Sequence, residues 1–203
     1  MTKGLVYKIS GKLYDMLDEH AEKTRYASIR KIIAPRLKGK VLDAGCGTGR
    51  NFPYYLPATN VIAVDTNPRM LAIARQRAHH SKAKITIKQC NLKKLPFKEN
   101  TFDAIIATFV LCVNNNKEAE KILGEMVRAA KKGAQLYFLE YVYPQSSIKK
   151  IFTKITALFP FLLYGLRYTV TEQAAKKNKS LVIEHKQLVY KDIVRLLIAK
   201  KIA

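Results

Sequence analysis

The sequence predicts an α/β fold built on a doubly wound, mainly parallel sheet. Short apolar runs of strand length alternate with helical segments over residues 40–142, which is typical of βαβ units. The predicted strands are almost wholly apolar, as expected for parallel strands that are buried on both faces. At 203 residues the chain has the length of one domain with a buried core, and a single domain is predicted.

The elements of this domain follow in order. Residues 5–37 are predicted to be helical, and the helix over about 24–37 ends near Pro35 and Gly39. A second helix opens at Asn67–Pro68, with proline in its first turn. A third spans residues 117–131, and Lys131, Lys132 and Gly133 are expected to end it. The predicted strands are 40–45, 60–65, 84–90, 104–111 and 134–142.

The C-terminal part is predicted to complete the domain in two ways. The runs LVIEHKQLVY and DIVRLLIAKK, joined by a polar turn at Lys191–Asp192, predict a hairpin whose last strand is antiparallel. Residues 143–180 are expected to form a helical lid insertion above the carboxyl ends of the strands, where ligands bind in such sheets. The predicted parts are therefore an N-terminal helical segment (1–38), a core (40–142), the insertion (143–180) and the hairpin (181–203).

Charge is the unusual feature of the composition. Lysine and arginine number 37 against 15 acidic residues, so the net charge is +22, which favours nucleic acid or anionic lipid as a partner. The three cysteines are scattered without metal-ligand spacing, and this suits a reducing compartment. The N-terminus lacks the apolar core of a signal peptide and no run reaches the ~18 apolar residues of a membrane span. We therefore expect a soluble or peripheral cytoplasmic protein.

The stretch VLDAGCGTGRNF, residues 41–52, is the first candidate for a binding site. Its three alternate glycines are costly unless the backbone needs a positive φ or must approach another group closely. The loop lies between a strand and a helix, as in nucleotide-binding loops, yet GCGTG is neither GxGxxG nor a Walker A motif. Asp65 ends the second strand, where a carboxylate can accept both hydroxyls of a ribose. Asn91, after the third strand, can receive the edge of an adenine.

Four motifs in order, VLDAGCGTG, VIAVDTNPRML, LPFKENTFDAIIATFVLC and LYFLEYV, cover about residues 40–142. Together they resemble the class I S-adenosylmethionine-dependent methyltransferases. The resemblance implies a Rossmann-like, seven-stranded sheet and S-adenosylmethionine as the cofactor. Within that family, LDAGCGTGRNFPYY, FVLC and VRLLIAKK resemble the small bacterial branch that methylates phospholipids (phosphatidylethanolamine N-methyltransferases), quinones and thiols.

The resemblance also implies roles for the residues that match the motifs. Asp43 would help to anchor the amino end of the methionine moiety, and Asp65 would hold the ribose hydroxyls. Asn91 departs from the family, which usually has Asp at the adenine amine. The cofactor-binding residues implied are Asp43, Ala44, Gly45, Cys46, Gly47, Gly49, Asp65, Thr66, Asn67, Met70, Asn91, Leu92, Thr108 and Phe109.

Two tyrosines are the candidates for catalytic residues. Tyr14, in YDMLDEH, would close over the cofactor, because a similar Tyr-Asp occurs near the start of related quinone and phospholipid methyltransferases; alternatively it only packs an N-terminal helix. Tyr141 lies at the tip of the fifth strand, where relatives often have His, although a phenol with an ordinary pKa of about 10 is a poor base. The four histidines show neither triad nor metal spacing.

The substrate is a separate question, and it depends on residues 146–168. This basic and then apolar segment, like the N-terminal helix, has the character of an interfacial helix that meets anionic lipid; alternatively it packs as a lid on its own core. The first hypothesis is a methyltransferase peripheral to the inner face of the membrane, acting on an amphiphilic small molecule such as a phospholipid amine or a quinone. The alternatives are methylation of RNA, of protein lysine or of a small-molecule thiol, and a non-catalytic partner that binds the cofactor.

Overall fold

The structure is a computed structural model that describes residues 11–142, 171–190 and 193–203, with side chains from residue 15 onward. Residues 143–170 of the predicted insertion (143–180) and the turn at Lys191–Asp192 lie outside the described residues. The α-helices are α1 (Gly11–Ala21), α2 (Ala27–Ile33), α3 (Pro68–Ala78), α4 (Asn116–Ala129) and α5 (Thr171–Lys177). A π-helical turn, Glu22–Tyr26, joins α1 to α2, and 3₁₀ turns cover Ala34–Arg36, Phe52–Tyr54 and Leu111–Val113.

Seven strands form one sheet in the order β3-β2-β1-β4-β5-β7-β6. They are β1 (Lys40–Ala44), β2 (Asn60–Asp65), β3 (Lys84–Gln89), β4 (Phe102–Thr108), β5 (Ala130–Tyr141), β6 (Leu181–Tyr190) and β7 (Val194–Lys201). The first five pair in parallel, and β7 is antiparallel to both β5 and β6. The predicted fold class is confirmed, including the antiparallel last strand.

Helices cover both faces of the sheet, and each face has its own hydrophobic core. On one face, Leu123 and Met126 of α4 pack with residues of α5 against the strands. On the other face, Ile33 of α2 and Leu71 of α3 are buried beside the inner strands. Because β1, β2, β4 and β5 are parallel, their carboxyl ends lie at one edge of the sheet, which we call the carboxyl edge.

Two predicted boundaries are wrong, and both lie beside β4. Helix α4 ends at Ala129, and residues 130–133 belong to β5, because Ala130 pairs with Phe102 in the ladder. Ala104 next pairs with Gln135, so extra residues of β5 bulge out around Gly133, whose φ of +81° permits the turn. The fourth strand, predicted to run to residue 111, ends at Thr108, since the chain reverses at Phe109 with a φ of +58°.

Candidate functional site

The glycine loop crosses the carboxyl edge in the strained conformation that its composition suggested. Gly45, Gly47 and Gly49 have φ values of +75°, +54° and +82°. A Cβ atom on Gly45 would lie 2.6 Å from the Val110 side chain, and one on Gly49 would lie 2.6 Å from the ring of Phe52. Among the described residues, a Cβ on Gly47 would meet nothing within 4 Å. Two glycines therefore let the protein pack on itself, whereas Gly47 faces open space.

Asp65 lies at this open point of the loop. Its carboxylate accepts the backbone N–H of Gly47 at 3.1 Å and that of Asn67 at 2.8 Å. Asn67 in turn caps α3 by accepting the backbone N–H of Arg69 at 3.0 Å. A carboxylate held beside an uncovered glycine suits a ligand with vicinal hydroxyls, because the backbone can approach the ligand there while the carboxylate accepts its O–H groups. The arrangement fits the ribose of S-adenosylmethionine.

Asp43 has a different environment from Asp65. It is fully buried below the loop; its oxygens accept from Asn51 Nδ2 at 3.1 and 3.2 Å and from the Tyr55 hydroxyl at 2.8 Å. Burial raises its pKa to about 6, although the hydrogen bonds from Tyr55 and Asn51 oppose the shift. In this structure Asp43 supports the loop from below, and its direct contact with the methionine moiety stays a prediction.

The remaining predicted cofactor residues surround the same edge. Asn91 follows β3 and is exposed, and its side-chain oxygen accepts the backbone N–H of Lys93 at 2.9 Å. Leu92 lies under the loop, 3.5 Å from the position of a Cβ on Gly45. The other predicted residues are buried beside the loop or half-buried at the strand ends: Ala44, Cys46, Met70, Thr66, Thr108 and Phe109. Their contacts with a cofactor stay predictions.

An aromatic cluster lies where β4 and β5 end. The ring of Phe109 is 4.8 Å from that of Tyr26 and 4.9 Å from that of Tyr141. The hydroxyls of Tyr26 and Tyr141 are hydrogen-bonded to each other. Burial raises the pKa of Tyr26, and the hydrogen bond with Tyr141 opposes this. Tyr141 thus lies at the predicted place, whereas the side chain of Tyr14, on α1, lies outside the described part of the chain.

Arg30 is a buried residue of this site that the sequence analysis missed. Its guanidinium donates to Glu22 at 2.9 and 3.2 Å, to the side-chain oxygen of Asn51, and to the Thr108 hydroxyl at 3.3 Å. It therefore ties the N-terminal helices to the glycine loop and to the end of β4. The sequence gives no clear signal for it, since Arg30 lies between Ile29 and Ile33 but is followed directly by a second basic residue, Lys31.

Glu140 is the second missed residue. Its carboxylate accepts the backbone N–H groups of Val110, Leu111 and Cys112 at 3.2, 2.9 and 3.1 Å. Burial raises its pKa to about 7, although the hydrogen bonds from Cys112, Leu111 and Val110 oppose this shift. Glu140 thereby fixes the turn that brings Val110 against the glycine loop. Its sequence signal was a lone carboxylate within the apolar strand LYFLEYV.

Helix α1 is attached to the loop by ion pairs. Asp15 accepts from the Thr48 hydroxyl at 2.7 Å and from Arg77 at 2.8 Å. Arg50, in the loop region, donates to Glu19 at 2.6 Å. Because these side chains are no more than half exposed, their ion pairs fix the N-terminal helix over the second half of the glycine loop.

Comparisons with known proteins agree with this fold. Residues 41–133 match the family model described as a methyltransferase domain. The chain is similar to the human thiol S-methyltransferase TMT1A (29% identity, covering 64% of this chain and 54% of that protein). It is also similar to the phosphatidylethanolamine N-methyltransferase of Cereibacter sphaeroides (30%, 51% and 51%) and to the ubiquinone/menaquinone C-methyltransferase UbiE of Pasteurella multocida (29%, 70% and 52%).

Solved structures show the same fold at lower identity. Magnesium protoporphyrin IX methyltransferase from Synechocystis, solved with bound SAH, has a TM-score of 0.67 at 22% identity over 96% of this chain and 89% of its own. The [4+2]-cyclase SpnF also gives 0.67, at 19% identity over 87% and 80%. At such identities the likeness shows the fold alone, and the cyclase illustrates that one fold supports different reactions.

The fold and the loop define a Rossmann-like domain whose candidate site lies at the carboxyl edge. Residues 41–133 match the model of a methyltransferase domain, and a methyltransferase solved with bound SAH shares the fold of the chain. The chain spans about half the length of the relatives that it matches.

Proposed function

We propose that this protein is a methyltransferase that uses S-adenosylmethionine to methylate an amphiphilic small molecule at a membrane surface. The observation that carries the proposal is the pairing of Asp65 with Gly47, the one glycine of the loop at which an added Cβ would meet none of the described residues within 4 Å. When bound, the cofactor supplies an activated methyl group on a sulfonium. The protein then needs chiefly to align an acceptor and to exclude water.

The residues of the carboxyl edge would divide this work. Asp65 and the glycine loop would hold the nucleoside, and Glu140 would keep the turn at Val110 against the loop. Phe109, Tyr26 and Tyr141 would form the wall on the acceptor side, since they lie beyond the ends of β4 and β5. Aromatic walls favour an apolar or amine-bearing acceptor, because ring faces attract cations as well as apolar groups.

The acceptor class rests on the relatives and on charge. Two similar proteins are named for methylating phosphatidylethanolamine and a quinone precursor, and both classes of acceptor are amphiphilic. The net charge of +22 would favour an anionic surface. Among the described residues, no helix has the length and hydropathy to cross a membrane, so the proposal is for docking at the surface. The acceptor that we expect first is a phospholipid amine, and the second is a quinone carbon.

A small-molecule thiol is the second candidate acceptor. The observation in its favour is the similarity to human TMT1A, which is named as a thiol S-methyltransferase. The cysteines of the protein itself are unsuited to a role as methyl carriers. Burial raises the pKa of Cys46 and of Cys112 well above the ordinary value, and a thiol reacts as its thiolate.

The test offers three acceptors in parallel with methyl-labelled S-adenosylmethionine: phosphatidylethanolamine vesicles, a demethylated quinone and an alkyl thiol. We expect label in the lipid fraction, and lower transfer to the other two. Asp65→Ala should abolish cofactor binding and all transfer, whereas Asp103→Ala, which removes a carboxylate at the opposite edge of the sheet, should keep both. Transfer to the thiol alone would replace the lipid proposal, and unchanged cofactor binding by Asp65→Ala would refute the assignment of the ribose site.

A further inference from the structure

A second pocket lies at the edge of the sheet where the parallel strands begin, which we call the amino edge. It has a volume of about 240 Å³ and is lined by Arg36, Lys38, Asp103, Ala104, Gly133, Gln135 and Lys200. The bulge of β5 around Gly133 forms one wall. The glycine loop lies at the other end of β1, so this pocket is separate from the site described above.

The pocket carries an excess of positive charge. Asp103, its one carboxylate, is already paired, since it accepts from Lys131 Nζ at 2.6 Å and from the backbone N–H of Lys40 at 2.8 Å. These two bonds hold the pKa of Asp103 below its ordinary value, so it stays ionised and paired. Lys200 has only a long contact of 3.7 Å with Glu184. Within the described part of the chain, Arg36 and Lys38 have no carboxylate partner.

The local backbone presents these cations to the pocket. Gly39, with a φ of +70°, lets the turn pass so close to Asp103 that a Cβ would lie 2.6 Å from its carboxylate oxygen. The bond from Lys40 to Asp103 then fixes the turn that carries Lys38. Arg36 ends the 3₁₀ turn just before. The two cations are therefore placed on a fixed segment of the pocket wall.

The surroundings reinforce this charge. Exposed basic residues lie all along the amino edge. Each lies before a strand, near the start of a strand or at the end of β7: Arg36, Lys38, Lys82, Lys84, Lys98, Lys131, Lys132, Lys179 and Lys200. Many of the acidic residues lie instead on the N-terminal helices or at the carboxyl edge: Asp15, Asp18, Glu19, Glu22, Asp43, Asp65 and Glu140. Glu99, Asp103 and Glu184 also lie at the amino edge, but the basic residues there outnumber them, and this positive excess attracts anions.

We propose that the pocket at the amino edge binds a phosphate group, with Arg36 and Lys38 as its principal ligands. An arginine fork matches two phosphate oxygens, and a lysine adds a point charge beside it. The pocket is smaller than the sites of drug-sized ligands, which measure about 300–1,000 Å³, and so suits a phosphate or diphosphate group rather than a whole nucleotide. The proposal does not depend on the methyl-transfer function.

The test measures binding of pyrophosphate and of glycerol 3-phosphate by calorimetry at low salt. We expect saturable binding at one site, weakened at least tenfold by Arg36→Ala and by Lys38→Ala. Arg75→Ala is the matched control, because Arg75 is an exposed arginine of α3 that does not line the pocket, and it should change affinity less than twofold. The amide resonances of Ala104 and Gly133 should shift with the same binding curve.

The outcomes also separate the sources of the phosphate. A free phosphorylated ligand is supported if the soluble ester binds and if Arg36→Ala leaves sedimentation with phosphatidylglycerol vesicles unchanged. A lipid headgroup is supported if Arg36→Ala, but not Arg75→Ala, reduces that sedimentation. If Arg36→Ala and Arg75→Ala weakened the binding of phosphate or of a single-stranded oligonucleotide equally, the protein would attract anions diffusely and the proposal would be overturned. The absence of saturable binding would also overturn it.

Discussion

Alanine substitutions at three glycines separate backbone strain, steric overlap and ligand access. Gly124, in the middle of α4, has helical geometry and no atom within 4 Å of an added Cβ. Gly47 has a positive φ and open space, whereas Gly49 has a positive φ and the ring of Phe52 at 2.6 Å. Gly47 therefore differs from Gly124 in its positive φ, and Gly49 differs from Gly47 in the overlap of an added Cβ with Phe52.

The expected changes in the free energy of unfolding follow from these factors. Gly124→Ala should stabilise by about 1 kcal/mol, the difference in helix propensity. Gly47→Ala should destabilise by about 1–2 kcal/mol, the cost of a left-handed conformation for a residue with a Cβ. Gly49→Ala has the same strain and in addition overpacks against Phe52, which costs about 1–3 kcal/mol. This substitution should therefore lower the free energy of unfolding by about 2–5 kcal/mol in all.

The assay is urea denaturation, supported by thermal melting, in which each kcal/mol corresponds to about 2–4 °C for a domain of this size. Binding of S-adenosylmethionine is measured in parallel. Gly47→Ala should lower that affinity at least tenfold, because its methyl group enters the open space, and Gly124→Ala should not change it. Equal destabilisation by Gly47→Ala and Gly49→Ala would refute the steric argument, and normal cofactor binding by Gly47→Ala would show that the cofactor does not lie beside Gly47.

Two further predictions concern the residues that brace the site. Burial raises the pKa of Glu140 from 4.5 to about 7, so its contribution to stability is present below pH 4.5 and is lost as the pH rises through 7. The wild type should therefore lose stability relative to Glu140→Gln between pH 5 and 8, and a difference that did not change with pH would contradict this. Asp15→Ala should accelerate amide exchange in α1 without lowering the urea midpoint by more than Glu99→Ala, a change at an exposed carboxylate. Unchanged exchange would contradict the docking of α1 through Asp15.

The parts of the site that the sequence predicted depend on local chemistry. The alternate glycines of the loop, the carboxylate at the end of an apolar strand and the Asn-Pro pair that opens α3 are each recognisable from a few neighbouring residues, so spacing reveals them. Asp65 reaches across to Gly47 only because β1 and β2 are parallel neighbours, and that pairing was itself predicted from the alternation of strands and helices.

The parts that the sequence did not predict depend on contacts between distant segments. Glu140 meets backbone groups about 30 residues earlier, and Arg30 meets Thr108 across 78 residues, so no local pattern identifies either partner. The end of α4 was misplaced for a related reason. Lys131, Lys132 and Gly133 are ordinary residues for the end of a helix, but pairing of Ala130 with Phe102 draws the segment into β5.

The separation of charge restricts how the protein can meet a membrane. A lipid acceptor must enter at the carboxyl edge, and the described residues of that edge are rich in carboxylates such as Asp18, Glu19 and Glu22. The basic residues of the amino edge point to the opposite side of the sheet. Exposed cations are also present at this edge, among them Arg69, Lys88 and Lys94. If the acceptor is a phospholipid, we expect the basic residues of 1–10 and 143–170, which lie outside the described residues, to add to these cations at the headgroups.

Two matched charge reversals should therefore differ in their effect on sedimentation with anionic vesicles. The triple change Lys149→Glu, Lys150→Glu and Lys154→Glu should greatly reduce sedimentation with phosphatidylglycerol vesicles, because each lysine near an anionic surface contributes about 1 kcal/mol. The same charge change at the amino edge, Lys82→Glu, Lys84→Glu and Lys132→Glu, should have a much smaller effect. If the amino-edge variant lost vesicle binding instead, the membrane would meet the side of the sheet opposite the cofactor loop, and direct methylation of a lipid in that membrane would be excluded by geometry.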